Sequence, residues 1–267
     1  MATQPLSEGR YTVRSVDRAL SVLTALGDGK ARTLTELSED IDINTSTTFR
    51  LLATLGQYKF VERDDETGKY RLGIACLELA RAYQAGDTIR RAALPELQAL
   101  RDLTRETVHL AVLDEMEVVY LEKLEGLHAI GIMSSRVGNR APAYCTGVGK
   151  ALLAHVDPQV VRDYFQAHGL RRYTDATIDG TGALTEQLEL VRRKGYAIDH
   201  GEHESDVRCV AAPIFDRRGR AVAAVSVSGP KDRMEPLETN EDLIQTTLQA
   251  VHLISANLGY REAIASP

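Results

Sequence analysis

Residues 34–55 read LTELSEDIDINTSTTFRLLATL, and this stretch decides how the first part of the chain folds. Leu34, Leu37 and Ile41 recur at three- and four-residue steps, which predicts a short helix from about Thr35 to Ile41, with Thr33 or Thr35 suited to cap its start. Asp42-Ile43 makes a turn, and Asn44 caps a further helix running to about Tyr58. Upstream, Val16, Ala19, Leu20, Leu23 and Leu26 give Ser15 to Leu26 an amphipathic pattern that Gly27 and Gly29 terminate. Downstream, Phe60–Arg63 and Lys69–Leu72 read as extended runs joined by the turn residues Asp64-Asp65-Glu66-Thr67-Gly68. Three small helices followed by a hairpin describe a winged helix-turn-helix.

Beyond it, Ile74 to about Gly86 and Thr88 to about Glu106 read as two more helices. The period then changes: Val108–Leu113, Val118–Leu124 and Ala129–Met133 are strand-like. Further helices are expected at Gly149–Ala154, Pro158–His168, Leu184–Lys194 and Glu241–Leu258, with strands at Tyr196–Asp199, Arg208–Phe215 and Ala221–Ser228. The expectation is an α+β chain with a winged helix-turn-helix at residues 1–73, a linker helix at 74–87 and an α/β domain at 88–260.

The 267 residues are 43% hydrophobic and 26% charged, with a net charge of -6, so the chain can bury a real core and is neither fibrous nor low-complexity. An acidic balance argues on average against general binding to nucleic acid or anionic membranes. Cys76, Cys145 and Cys209 are odd in number and far apart, which supports neither a disulfide framework nor a zinc module and fits a reducing cytoplasm. No apolar run of about 18 residues occurs, and the first residues lack a signal-like apolar stretch. These features predict a soluble, cytoplasmic protein that is not exported and has no membrane partner.

Charge distribution qualifies the average. Residues 1–80 hold ten Lys and Arg against twelve Asp and Glu, yet residues 43–61 contain Arg50 and Lys59 and no acid. Steps of ~100° along the helix after Asn44 place Ser46, Thr47, Arg50, Thr54 and Gln57 on one polar arc, with Phe49, Leu52 and Leu55 largely opposite. Hydroxyl, guanidinium and amide groups without a carboxylate can bond phosphates and base edges in a major groove. Arg50 is the chief candidate reader. Arg10, Arg14 and Arg18 crowd the amino-terminal arm, and Lys69 is the expected contact from the second wing strand, because the acidic wing tip would repel phosphate. An ordinary solvated helix face remains the alternative for the arc alone.

In the second half, Tyr144-Cys145-Thr146-Gly147-Val148-Gly149-Lys150 enters a helix, where backbone N–H groups can receive an anion such as a carboxylate; a plain glycine turn is the alternative. Lys150 either meets a ligand anion or points to solvent. Ser226 and Ser228 alternate on one strand and project from one face, while Val225 and Val227 face the other way.

Five strings together resemble the IclR-type transcriptional regulators: SVDRALSVLTAL, LTELSEDIDINTSTTFRLLATL, FVERDDETGKYRLG, YCTGVGKALLA and GYAIDHGEHESDVRCVAAPIFDRRGRAVAAVSVSGP. They span nearly the whole chain in the family's order. The resemblance implies a DNA reader with contacts at Arg14, Thr33, Thr45, Ser46, Thr47, Arg50, Thr54 and Lys69, a linker that helps dimerise, and an effector domain related to GAF and profilin-like α/β sandwiches. It implies a dimer, or dimer of dimers, on palindromic operator DNA. It also implies that a small organic acid is held by Gly147 with Val148, Asp199, Cys209, Ser226 and Ser228, against an apolar wall of Ile130, Met133 and Val207. That wall suggests a carboxylate with an apolar body, aromatic bodies included. Repression is favoured over activation, and no cofactor is implied.

The run Asp199-His200-Gly201-Glu202-His203-Glu204-Ser205-Asp206 departs from the family by bringing in two histidines. With Asp199, Glu204 and Cys209 they contain zinc-ligand types, but no ligand spacing supports a metal site, and a loop with incidental histidines is favoured. His200 or His203 can instead donate to a polar group of the effector. An enzyme would use Cys145 or Cys209 as nucleophile, His200 or His203 as base and Asp199 as orienter; no nucleophile motif surrounds either cysteine, so catalysis is disfavoured.

Overall fold

The computed structural model describes residues 12–127 and 133–261. The chain divides into two compact units, Met1–Gly86 and Asp87–Pro267.

The first unit contains α1 (Arg14–Ala25), α2 (Leu34–Asp40) and α3 (Thr45–Gln57). The antiparallel wing strands β1 (Val61–Arg63) and β2 (Tyr70–Leu72) follow, and then α4 (Ile74–Gly86). Local chemistry sets the helix starts. Thr33 forms a capping box with Glu36, each side chain bonding the other's backbone N–H, and the Asn44 side-chain Oδ1 accepts from Thr47 N at 2.9 Å. Val22, Leu26, Leu37, Leu52 and Val61 form the small core, each buried side chain contributing about 1.5–3 kcal/mol.

Two expectations are corrected here. Val16 and Leu20 do not face this core but are 55% and 57% exposed; the inward face of α1 is Val22 and Leu26, flanked by Ala19 and Leu23. Phe49 is likewise 52% exposed, because Thr48, Leu52 and Leu55 fill the inward stripe of α3. Periodicity locates an apolar stripe but not its edges, and Val16, Leu20 and Phe49 lie beyond them.

The second unit begins with α5 (Thr88–Thr104), β3 (Thr107–Asp114), β4 (Glu117–Leu124) and β5 (Arg140–Pro142). One 3-10 turn at Ala143–Cys145 leads into α6 (Gly147–Leu153), followed by α7 (Pro158–His168) and α8 (Thr181–Lys194). Then come β6 (Ala197–Asp199), β7 (Val207–Phe215), β8 (Ala221–Pro230), α9 (Lys231–Met234) and α10 (Glu241–Asn257). The strands form one antiparallel sheet in the order β5-β4-β3-β8-β7-β6.

Strand alternation gives the sheet two buried faces. Val108, Leu110, Val210, Ala212, Val225 and Val227 pack with residues of α5 and α10; Ala111, Cys209, Ala211 and Ala224 pack with residues of α6, α7 and α8. The result is a helix–sheet–helix sandwich. The expected strand Ala129–Met133 falls largely outside the described residues, and Met133 itself lies in no strand. Short β5, which the sequence did not announce, forms one edge of the sheet.

Candidate effector pocket and nucleic-acid interface

Register brings the pocket together. Across the sheet, Asp199 on β6 stands opposite Cys209 on β7, and Cys209 opposite Ser228 on β8; one row over, Ala211 stands opposite Ser226, and Ser226 opposite His109 on β3. All of these face the α6 side of the sheet. Asp199, Cys209, Ser226, Ser228 and His109 line a cavity of about 80 Å³, which α6 closes with Gly147 and Val148, and to which Met133 and Val207 contribute. Eight residues expected at the effector site thus meet in one cavity; the ninth, Ile130, lies outside the described residues.

Gly147 and Gly149 have a packing reason to be glycine. A first side-chain carbon on Gly147 would lie 2.5 Å from Cys209 Sγ, and one on Gly149 would overlap the Ala143 carbonyl. The glycines therefore allow α6 to lie against β7 and the preceding turn. Gly147 is already the first helical residue rather than a loop residue before the helix. The first intrahelical bond runs from Lys150 N to Thr146 O at 2.9 Å, so the N–H groups of Gly147 and Val148, both at the pocket wall, precede it.

Several lining residues were not foreseen. His109 is buried; its Nε2 lies 2.9 Å from Ser135 Oγ, and its Nδ1 lies 3.3 Å from Ser226 Oγ and 3.4 Å from Ser228 Oγ. Burial, and secondarily the charge of Lys123, lower the His109 pKa to about 3, so its imidazole is neutral. Tyr120 packs beside it at 5.3 Å between ring centroids, and Ser134, Ser135 and Asn139 add polar groups. The lining is therefore more polar than the apolar wall expected from Met133 and Val207. The signal for His109 was its position between Val108 and Leu110: on an alternating strand it must face opposite to both.

Lys150 takes neither expected course. It is 1% exposed, and its Nζ donates to Ile198 O at 2.6 Å and to Glu202 Oε1. The Asp199 Oδ1 atom accepts the N–H groups of Gly201 (2.9 Å) and Glu202 (2.8 Å), which folds the turn that brings Glu202 to Lys150. Desolvation raises the Asp199 pKa, against the opposing pull of Lys150 and the two N–H bonds. Burial also raises the Cys145 and Cys209 thiols, Cys209 to about 12, and the Asp199 carboxylate adds to both rises. Neutral buried thiols are poor nucleophiles.

The histidines of the departing loop separate. His203 lines the pocket, its ring 4.7 Å from that of Tyr173, whereas His200 Nε2 pairs with Glu238 at 3.2 Å. Among the described residues, no group of three or more His, Cys, Asp or Glu is placed to hold a metal ion.

On α3, Thr45, Ser46, Arg50 and Thr54 are exposed and Thr47 is half-buried. Arg14 is exposed, and among the described residues Arg14, Arg50 and Lys69 enter no ion pair. Arg32 and Arg71, by contrast, are committed: Arg32 pairs with Asp28 and Asp40, and Arg71 with Glu62 at 2.5 Å. Lys69 directly precedes β2 instead of lying on it, and Thr33 spends its hydroxyl on the capping box. No described helix is long and apolar enough to cross a membrane.

A winged helix-turn-helix with an uncommitted polar recognition helix, carried on a chain with a separate pocketed α/β unit, is the architecture of a transcriptional regulator. The family described as Bacterial transcriptional regulator IclR C-terminal matches residues 82–256, and the IclR helix-turn-helix domain matches residues 15–65. The chain is 37% identical over 263 residues to the HTH-type transcriptional regulator KdgR of Escherichia coli, covering 98% of this chain and 99% of that protein. It is 33% identical over 225 residues to the transcriptional repressor IclR of Escherichia coli, covering 83% and 82%. Among solved structures, an IclR homologue from Microbacterium hydrocarbonoxydans complexed with 4-hydroxybenzoate superposes with a TM-score of 0.80 at 28% identity, covering 92% of this chain and 99% of that one. The chain belongs to the IclR family. It is a DNA-binding transcriptional regulator and not an enzyme.

Proposed function

We propose that this regulator binds a palindromic operator through the α3 arc and represses transcription until a small organic acid occupies the cavity of its second unit. The meeting of Gly147, Val148, Asp199, Cys209, Ser226 and Ser228 in that one cavity carries the reading. The 4-hydroxybenzoate of the Microbacterium hydrocarbonoxydans homologue makes an aromatic acid a natural first candidate. Ser226 and Ser228 lie 3.3 Å apart, with His109 at similarly long range, so both hydroxyls keep bonding capacity for a carboxylate. Thr45, Ser46, Thr47, Arg50 and Thr54 would meet the major groove, with Arg14, Thr33 and Lys69 at its margins.

The domain limits we assign are 1–73, 74–87 and 88–260. Linker helix α4 exposes Leu77 and Tyr83, each 65% accessible, which supports its use in a dimer or a dimer of dimers. A cytoplasmic location fits such a protein.

The ligand must prefer one DNA-binding state over the other, since equal affinity shifts nothing. A thermal-shift screen of small organic acids, followed by footprinting upstream of the gene with and without a stabilising acid, tests the reading. Ser226→Ala should weaken the response to the acid while operator binding without it persists. Loss of operator binding in a folded Ser226→Ala protein would refute the division of labour.

A further inference from the structure

Three charged groups lie out of solvent, Asp199 at the pocket wall and Lys150 and Glu202 behind it. Lys150 comes from α6, Asp199 from the end of β6 and Glu202 from the turn that follows; they are 1%, 7% and 4% exposed. Lys150 binds Glu202 Oε1 and the Ile198 carbonyl, and Asp199 Oδ1 is met by two backbone N–H groups. Glu202 Oε2 is buried with no hydrogen-bond partner among the described residues. One ammonium therefore serves two carboxylates, and half of one carboxylate is unserved.

The neighbouring groups do not restore the balance. Cys145 faces the cluster from the 3-10 turn, Cys209 from β7 and Tyr120 from β4; burial raises all three, so they are neutral. His203 adds a small favourable influence on Asp199, Glu204 adds another acid at the pocket, and His200 is turned to Glu238. Arg140 also lines the cavity, but it is held by Asp114 and Glu117, both at 2.7 Å. Desolvation lifts the Glu202 carboxyl to about 7, with Lys150 and, more weakly, the His200 backbone N–H opposing and Asp199 adding to the rise. A ligand carboxylate beside Asp199 brings one more negative charge to a site whose own cation is already shared.

We propose that an acid effector enters this pocket together with a proton from solvent, taken up by the Glu202 carboxylate at its unpartnered oxygen. The proposal rests on the effector reading above. The proton converts Glu202 to its neutral acid, and the Lys150 charge is then left to offset Asp199 and the ligand.

Titration calorimetry of the full chain with 4-hydroxybenzoate, benzoate and acetate, in buffers of differing ionisation enthalpy, measures the proton number directly. The expected uptake approaches about one proton at about pH 8 and falls towards zero near about pH 6, where apo Glu202 already holds its proton; affinity drops up to about tenfold per pH unit above neutrality. Glu202→Gln should abolish the uptake. Buffer-independent heats at about pH 8 overturn the proposal while leaving the effector reading intact. Uptake that persists in Glu202→Gln also overturns it, because the proton is then on the ligand or elsewhere. Binding of none of the three acids at any pH counts against the effector reading, and the proposal falls with it.

Melting of the ligand-free protein gives a second measurement. The Glu202 pKa is higher folded than unfolded, so its contribution is fully present below the unfolded value and is lost as pH rises through the folded one. Wild type should therefore lose melting temperature relative to Glu202→Gln between about pH 5 and about pH 8. A gap that does not change over this range overturns the proposal.

Discussion

The outer face of α3 and the turn Asp199–Glu202 are both polar, and they use their polarity in opposite ways. Ser46, Arg50 and Thr54 stand exposed, and among the described residues Arg50 makes no ion pair. Asp199 and Glu202 are buried and tied to backbone N–H groups and to Lys150. The first arrangement adds little to the stability of the fold and keeps its bonding capacity for an external partner. The second is part of the fold, since removing one member leaves a charge stranded in a medium that solvates it poorly. Interface residues and pocket residues should therefore separate cleanly when stability and binding are measured side by side.

The largest expected effect lies in the buried region. Lys150→Met should cost about 3–5 kcal/mol of stability, because Glu202 loses its partner. The loss should be greater at about pH 8 than at about pH 6, since Glu202 is neutral at the lower pH. Melts at the two values check this, and an indifferent mutant would make the buried pair as dispensable as a surface one. Next comes Arg50→Ala, expected to cost about 1–3 kcal/mol of operator binding per half-site with an unchanged melt. Fluorescence anisotropy on a footprinted duplex decides it; retained affinity would move the interface off this arc.

Thr33 sits between the two classes. As the capping residue of α2, Thr33→Ala should lose about 1 kcal/mol of stability, and Thr33→Asn should keep it. If both proteins bind the operator as wild type does, the residue serves the fold alone. The smallest effect is expected at Phe49, where replacement by Ser should change stability by within about 0.5 kcal/mol because the ring is more than half exposed. A loss comparable to that of a core leucine would show that the ring is covered by a partner.

Much of this is legible in the sequence alone. The helix starts at Thr33 and Asn44 follow from short-range bonds between a side chain and a nearby N–H; Asn44 caps as read, and of the two candidates Thr33 and Thr35 it is Thr33 that caps α2. The facing of Ser226 and Ser228 follows from alternation along β8, and both line the cavity. Other positions were not legible. Val16, Leu20 and Phe49 fit a helical period but lie outside its buried stripe, whose width depends on what packs against it. His109 reaches the serines because β3 and β8 pair in one register, and no local pattern in Val108-His109-Leu110 names that neighbour.

The sequence by itself determined the winged helix-turn-helix, the longer helices and strands of the second unit, the acid-free stretch around Arg50 and the face on which the two serines stand. These are consequences of spacing, capping and strand alternation over a few residues. Only the tertiary structure decided that Lys150 turns inward to Glu202, 52 residues away, and that Arg140 is already occupied by Asp114 and Glu117. The physical reason is that the fate of a charge depends on which partners folding brings within reach and how much water it removes, and neither quantity is encoded locally.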